Sequence, residues 1–162
     1  MSLVEAEILK MARAVQADEC KQSFYYFMQT FWSVIIPEEP VFNWHIEYLC
    51  NELQKLSYYI VNRLPKPYDV IINIPPGSTK TTLVTIMWPA WLWTQDQTIR
   101  IISNSYSGDL SIEHASKSKD IITSDLYRLL FPEIIIRRDK SGKGSYENTK
   151  KGARYSTSTG GT

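Results

Sequence analysis

Hydrophobic residues along the chain first follow the spacing of helices. Residues from Leu3 to Ala17 have helical periodicity, and Ser23 is suited to cap a second helix, which carries most of the nearby aromatic residues. Asn43 is suited to cap a third helix. Its apolar residues recur at spacings of three and four and are Ile46, Leu49, Leu53 and Leu56. The first third of the chain is therefore predicted to be helical.

The pattern then changes to short apolar runs separated by helical stretches. Asp69 to Ile74 is rich in Val and Ile, which is typical of a strand buried on both faces. A second strand is predicted from Ile99 to Ser103, and Ser107 is suited to cap the helix after it. Alternating strands and helices predict an α/β fold with a mostly parallel sheet flanked by helices.

The size and composition of the chain limit what it can hold. Its 162 residues, 43% hydrophobic, suffice for one domain with one sizeable core. Cys20 and Cys50 have neither CxxC spacing nor a nearby His, so they are interpreted as buried thiols. Neither a signal peptide nor a membrane-spanning run is recognised in the sequence. A soluble protein in a reducing intracellular setting is expected.

Positive charge is concentrated near the end of the chain, although the formal net charge is only +1. The stretch from Arg137 to Arg154 has seven basic residues and two acidic ones, so its net charge is 7 − 2 = +5. Such a stretch could face phosphates, or it could be a solvated loop whose lysines maintain solubility. Both interpretations remain open.

The segment after the run 69–74 carries the strongest chemical signal. A short loop leads from Pro75 into a helix, and the amino end of a helix presents unpaired amides that favour a phosphate. Lys80 adds a positive charge, and Thr81 stands where the phosphate-loop motif places its magnesium-binding hydroxyl. The candidate nucleotide-binding residues in this segment are Pro76, Gly77, Ser78, Thr79, Lys80, Thr81 and Thr82.

This segment departs from the phosphate-loop pattern G-x-x-x-x-G-K-[ST]. Ile74 and Thr79 occupy the two glycine positions, so Thr79 must adopt the tight geometry and Gly77 must supply the flexibility. By itself, a lysine at a helix start such as Lys80 is usually a solvated or capping residue.

The loop and its surroundings together resemble the large terminase subunit of tailed bacteriophages. The segment I-N-I-P-P-G-S-T-K-T-T-L-V-T (72–85), followed by M-W-P-A-W-L-W (87–93), is similar to the deviant phosphate loop of that family. N-W-H-I-E-Y-L-C-N-E-L (43–53) resembles the preceding helix. Segments 104–111 and 124–132 resemble a later helix start and a closing turn, and S-T-S-T-G-G-T (156–162) resembles the start of a glycine-rich hairpin.

The resemblance implies the fold and activity of a DNA-packaging motor. It implies a P-loop NTPase fold of the ASCE type, incomplete at its carboxyl end, with an N-terminal helical segment (1–40) before the first part of the ATPase domain (41–162). ATP hydrolysis in this family drives double-stranded DNA into a capsid, with the portal protein and the small terminase subunit as partners. The expected location is the cytoplasm of an infected bacterial host cell.

Roles for individual residues also follow from the resemblance. Lys80 would neutralise the β and γ phosphates of ATP, and Thr81 would help to hold Mg²⁺. Trp44 and His45 match a helix that lies near the nucleotide base in relatives. Stacking on adenine by Trp44 is therefore possible, although a core position is favoured. Many relatives have an arginine where this chain has Gly77, so the resemblance does not identify an arginine finger.

The acidic catalytic residues of the family have no match in this sequence. Asp69 begins its predicted strand instead of ending it, and Glu133 precedes the apolar run Ile134–Ile136. The acidic strand is expected beyond Thr162, as is the separate nuclease domain. The chain is therefore expected to be a fragment that binds ATP weakly and hydrolyses it poorly or not at all.

Two other functions remain open. The chain could be a DNA-binding or assembly module with a degenerate loop, in which segment 137–154 contacts DNA, or another P-loop DNA translocase of the helicase type. Ser107 with Asp109 is interpreted as a helix start, and His114 as part of a solvated face. Trp88, Trp91 and Trp93 are interpreted as a packed helix end instead of a base-stacking platform.

Overall fold

The computed structural model describes residues 2–159. None of the helices within this part of the chain is long and apolar enough to cross a membrane. The helices are α1 (Leu3–Gln22), α2 (Phe24–Ile35), α3 (Trp44–Val61), a π-helical segment (Thr82–Met87), α4 (Trp88–Gln95), α5 (Gly108–Thr123) and α6 (Asp125–Leu130). The strands are β1 (Arg100–Ser105), β2 (Ile136–Ser141), β3 (Ser145–Asn148) and β4 (Ala153–Ser158).

The helix starts agree with the capping residues predicted from the sequence. Ser23 caps α2, accepting a hydrogen bond from the amide of Tyr26 at 3.1 Å, and Ser107 caps α5 through Leu110. Asn43 occupies the cap position of α3, but its side chain accepts no bond from that helix. These helix starts could be predicted because each depends on residues close in sequence.

Helix α2 forms the centre of the hydrophobic core. Its aromatic residues contact α4, α6 and the residue after α6, in ring pairs such as Phe24–Trp91 at 5.3 Å and Phe31–Tyr127 at 5.6 Å. The described part of segment 1–40 therefore shares one core with the rest of the described chain. Cys20 and Cys50 are buried free thiols, as predicted.

The sheet contradicts the predicted fold class. It has four strands in the order β1-β4-β3-β2, and only β1 and β4 are parallel. Strands β2, β3 and β4 pair antiparallel. The expected mostly parallel sheet of a P-loop NTPase is therefore wrong for residues 2–159, which form a helical protein with a small mixed sheet.

Short connections explain the antiparallel pairing. Residues 142–144 join β2 to β3 and residues 149–152 join β3 to β4. A parallel pair needs a crossover of a dozen or more residues, whereas a short turn can join antiparallel strands only. The pair β1–β4 meets that requirement because α5, α6 and the β2–β3 hairpin lie between its strands in sequence.

The apolar run 69–74 is not a buried strand. It is not assigned to any helix or strand, and Val70 and Ile71 are exposed, Ile71 to 92%. The run has the composition of a strand, but a strand also needs paired neighbours. The sheet order places β4 beside β1 and β3 beside β4, and the run joins neither edge of the sheet.

The helix after the loop is widened in its first turns. Residues 80–95 are continuously helical, and Thr82–Met87 within them is π-helical, with the amide of Trp88 bonding to the carbonyl of Leu83. In an α-helix the carbonyl of Thr85 would accept from residue 89, but Pro89 has no N–H and its ring would clash with that carbonyl. The wide turn removes this conflict.

Strand β4 ends one residue before the end of the described part of the chain. Ser156 to Ser158 form the last residues of β4. Gly160, Gly161 and Thr162, which were expected to begin a glycine-rich hairpin, lie outside the described residues.

Candidate functional site

The residues predicted to hold phosphates surround one concavity. Its volume is about 440 Å³, and it is formed by the loop after the run 69–74 and by the first residues of the helix 80–95. It is lined by Pro75, Pro76, Gly77, Ser78, Thr79, Lys80, Thr81 and Thr82. The site is thus built from one continuous segment of chain.

The loop backbone turns through two left-handed residues. Gly77 has φ +80° and Thr79 has φ +59°. The amide of Ser78 between them donates to the carbonyl of Pro75 at 3.4 Å. Sequence reasoning required Thr79 to adopt a tight geometry despite its branched side chain, and the structure gives it a left-handed φ. Alternating right- and left-handed residues can turn successive amides toward one anion.

The helix start provides further donors. Its first helical bond runs from the amide of Leu83 to the carbonyl of Thr79 at 3.0 Å. The amides of Lys80, Thr81 and Thr82 precede this bond and therefore have no carbonyl acceptor within the helix. Lys80 is half-buried and forms no ion pair within residues 2–159, and Thr81 is exposed. The amides, the ammonium group and the hydroxyl are compatible with a phosphate.

The donors at this site fit a magnesium ion only together with phosphates. No Asp or Glu lines the concavity, and no cluster of three His, Cys, Asp or Glu residues that could hold a metal occurs within residues 2–159. Mg²⁺ usually retains several waters and binds through one or two protein oxygens plus substrate phosphates. The hydroxyl of Thr81 could be one such protein oxygen.

Trp44 and His45 line a second groove. Ile74, which also lines this groove, directly precedes Pro75, the first residue that lines the loop concavity. This groove has a volume of about 420 Å³ and runs between α3 and residues 68–74. Trp44 is 79% exposed, so the favoured interpretation as a core residue was wrong. The ring of Tyr48 lies 6.5 Å from that of Trp44, and Nε2 of His45 is buried without a hydrogen-bond partner.

The three tryptophans of the following helix are structural, as expected. The indole N–H of Trp91 donates to the carbonyl of Cys20 at 2.7 Å, and that of Trp93 donates to the carbonyl of Ile99 at 3.0 Å. Trp88 donates to the hydroxyl of Ser57 at 2.8 Å. These bonds and the burial of Trp91 and Trp93 leave no platform for stacking bases.

Sequence reasoning missed a buried polar cluster behind this helix. Arg154, counted with the basic stretch, is 1% exposed, and its Nη2 atom donates to the carbonyl of Thr85 at 2.7 Å. Burial lowers the pKa of Arg154, and burial raises the pKa of Tyr146, its cross-strand partner, to about 12. The phenol of Tyr146 and the hydroxyl of Ser118 are also buried, and they lie close to each other. The small residues Gly152 and Ala153 before Arg154 were the only local sign of burial.

The basic stretch 137–154 forms the β2–β3 hairpin and the start of β4. Much of its charge is neutralised locally: Arg137 pairs with Asp139, and Lys140 pairs with Glu147. These two acids are already counted in the net charge of +5. The burial of Arg154 removes one more cation from the surface, so four exposed cations of the stretch have no acidic partner within residues 2–159: Arg138, Lys143, Lys150 and Lys151.

Comparison of the chain with protein families, with curated proteins and with solved structures finds no match. The loop geometry and the local resemblance to terminases are thus the basis for a functional proposal.

Proposed function

We propose that residues 75–82 bind the phosphates of ATP together with Mg²⁺, and that the chain is an ATP-binding part of a DNA-packaging motor of the large-terminase type. The observation that carries this proposal is the single concavity lined by residues 75–82, which include the two left-handed residues of the loop, the helix start and Lys80. The proposal does not depend on a mostly parallel sheet, because the loop and its helix supply every group that contacts the phosphates.

The proposed binding mode assigns each group one task. The left-handed residues Gly77 and Thr79 orient loop amides toward the phosphate oxygens. Lys80 neutralises the outer phosphates, and the hydroxyl of Thr81 takes one position on Mg²⁺. Bound Mg²⁺ would offset phosphate charge and fix the orientation of the triphosphate.

The groove beside α3 offers a place for the base. The exposed indole of Trp44 and the ring of Tyr48 provide flat apolar surfaces. Stacking on an exposed indole buries apolar surface of both partners, which favours binding.

Hydrolysis is proposed to be slow in this chain. A motor needs a carboxylate to help hold Mg²⁺ and another to orient the attacking water. No carboxylate lines the loop concavity. Binding without rapid turnover is therefore the expected behaviour.

Calorimetric titration with a slowly hydrolysed ATP analogue and Mg²⁺ tests the proposal. Lys80→Ala is expected to abolish binding, whereas Lys10→Ala, which removes an exposed lysine from α1, is expected to leave binding unchanged. Circular dichroism should show the same helical content in both variants. Equal affinity of the wild type and Lys80→Ala would refute the proposal.

A nucleotide-independent DNA-binding module is the second candidate. Cations of the basic stretch favour it, since Arg138 on β2, Lys143 in the β2–β3 turn, and Lys150 and Lys151 in the β3–β4 turn are exposed. Salt-dependent binding of duplex DNA with no effect of Mg²⁺-ATP, in a protein that gives no heat with the nucleotide, would support this candidate against the first.

A further inference from the structure

A groove of about 500 Å³ lies where α5 and α6 face the outer edge of β2. β2 is the last strand of the sheet and pairs only with β3. One side of the groove includes Thr123 and Arg128, and the other includes Arg138 and Ser141. Ile134 and Ile135, between α6 and β2, also line the groove, and of these two Ile135 is exposed. No Asp or Glu lines this groove.

The arginines of this groove differ from the other arginine of β2. Arg137 pairs with Asp139 and Glu147. Arg128 and Arg138 are exposed and form no ion pair within residues 2–159. The two positive charges on the groove are therefore available to an external anion.

A third cation lies at the same edge. The ammonium group of Lys119 donates to the carbonyl of Ser141 at 2.7 Å, which holds this charge beside the end of β2. An ammonium has three N–H donors, so this contact leaves others for a ligand. Three cations from α5, α6 and β2 thus border a groove without acids.

We infer that this groove binds the phosphate backbone of double-stranded DNA. The inference rests on the proposed function, for which it names the surface that contacts DNA. Charge complementarity supports DNA as the occupant, because duplex DNA presents a regular row of negative charges. Guanidinium groups match phosphate oxygens through paired N–H donors, and the hydroxyl of Thr123 can add a neutral phosphate contact.

The test compares two double variants that each remove two positive charges. Arg128→Gln with Arg138→Gln changes the groove, and Lys10→Gln with Arg13→Gln changes α1 on another part of the surface. Binding of a short fluorescein-labelled duplex is followed by anisotropy at several salt concentrations. The groove variant is expected to bind at least about tenfold more weakly, with a salt slope smaller by about 1.8 for two lost phosphate contacts.

The control variant is expected to bind DNA like the wild type. Equal weakening in both variants would overturn the inference, since net charge alone would then explain binding. The inference would also be overturned if polyglutamate displaced the duplex as effectively as unlabelled DNA at equal charge. An acidic peptide would then be an equally good occupant of the groove.

The same proteins separate this inference from the nucleotide proposal. The groove variant is expected to retain its affinity for the ATP analogue, and Lys80→Ala is expected to retain duplex binding in the absence of nucleotide. Loss of DNA binding only in the groove variant supports the groove even if the ATP analogue fails to bind. Nucleotide binding by a wild-type chain that does not bind the duplex would overturn the groove alone.

Discussion

The guanidinium of Arg154 donates from Nη2 to the carbonyl of Thr85 at 2.7 Å, and so joins β4 to the π-helical segment that follows the loop. Its Nε and Nη1 atoms are buried without partners. This bond supplies a donor to the carbonyl that Pro89 leaves without its α-helical partner.

Replacement of Arg154 should separate the effects of volume and charge. Arg154→Ala is expected to lower the free energy of unfolding by about 3 kcal/mol, because it leaves a cavity in a packed core. Arg154→Met retains most of the volume and loses one hydrogen bond, so a loss of about 1 kcal/mol or less is expected. Urea unfolding measures both values. An equal loss in the two variants would contradict the importance of volume.

A change at Gly77 should affect the loop through its backbone alone. Gly77 has φ +80°, and an added Cβ would meet no atom within 4 Å, so Gly77→Ala introduces backbone strain without a clash. A left-handed conformation costs a non-glycine residue about 1–2 kcal/mol, and weaker binding of the ATP analogue is expected. Gly108→Ala is the control, because its added Cβ would make only ordinary contacts. Calorimetry that finds the same affinity in both variants would disprove this expectation.

The two helix caps form a matched pair. Ser23 accepts the amide of Tyr26 at 3.1 Å, whereas Asn43 makes no side-chain bond to its helix. Ser23→Ala is expected to lower the free energy of unfolding by about 1 kcal/mol, and Asn43→Ala by much less. Urea unfolding of both variants tests the difference, and a larger effect at Asn43 would contradict the structure.

Stability should fall on mild acidification because of His114. Burial lowers the pKa of His114 below 6.5; Glu113 opposes this shift, and Lys117 and Arg154 add to it. The unfolded chain then binds a proton before the folded protein does, so the free energy of unfolding decreases as the pH falls below about 6.5. His114→Gln should flatten this part of the curve. The free energy of unfolding of both proteins, measured with urea between neutral pH and the pH at which carboxylates begin to titrate, tests this expectation.

The parts of the fold that were predicted correctly depend on neighbouring residues. Ser23 and Ser107 begin helices because a serine hydroxyl reaches amides two or three positions ahead. The positions of Gly77 to Thr82 around one concavity also follow from a short loop entering a helix.

The errors arose where structure depends on distant partners. The composition of residues 69–74 does not reveal whether neighbouring strands pair with them. Trp44 begins a helix, but its exposure depends on which face of α3 meets α2. Arg154 was counted as a surface cation because its burial depends on Thr85, which lies 69 positions earlier in the chain.

The widened turn at Thr82–Met87 also determines the orientation of the loop around the helix axis. A π-helical turn holds one more residue than an α-helical turn, and each residue advances a helix by about 100°. If these residues formed a regular α-helix, Lys80 would rotate by about that angle around the axis relative to the buried Trp91 and Trp93. Pro89, which opposes the regular turn, thereby sets the rotation between the loop end of the helix and the end packed in the core.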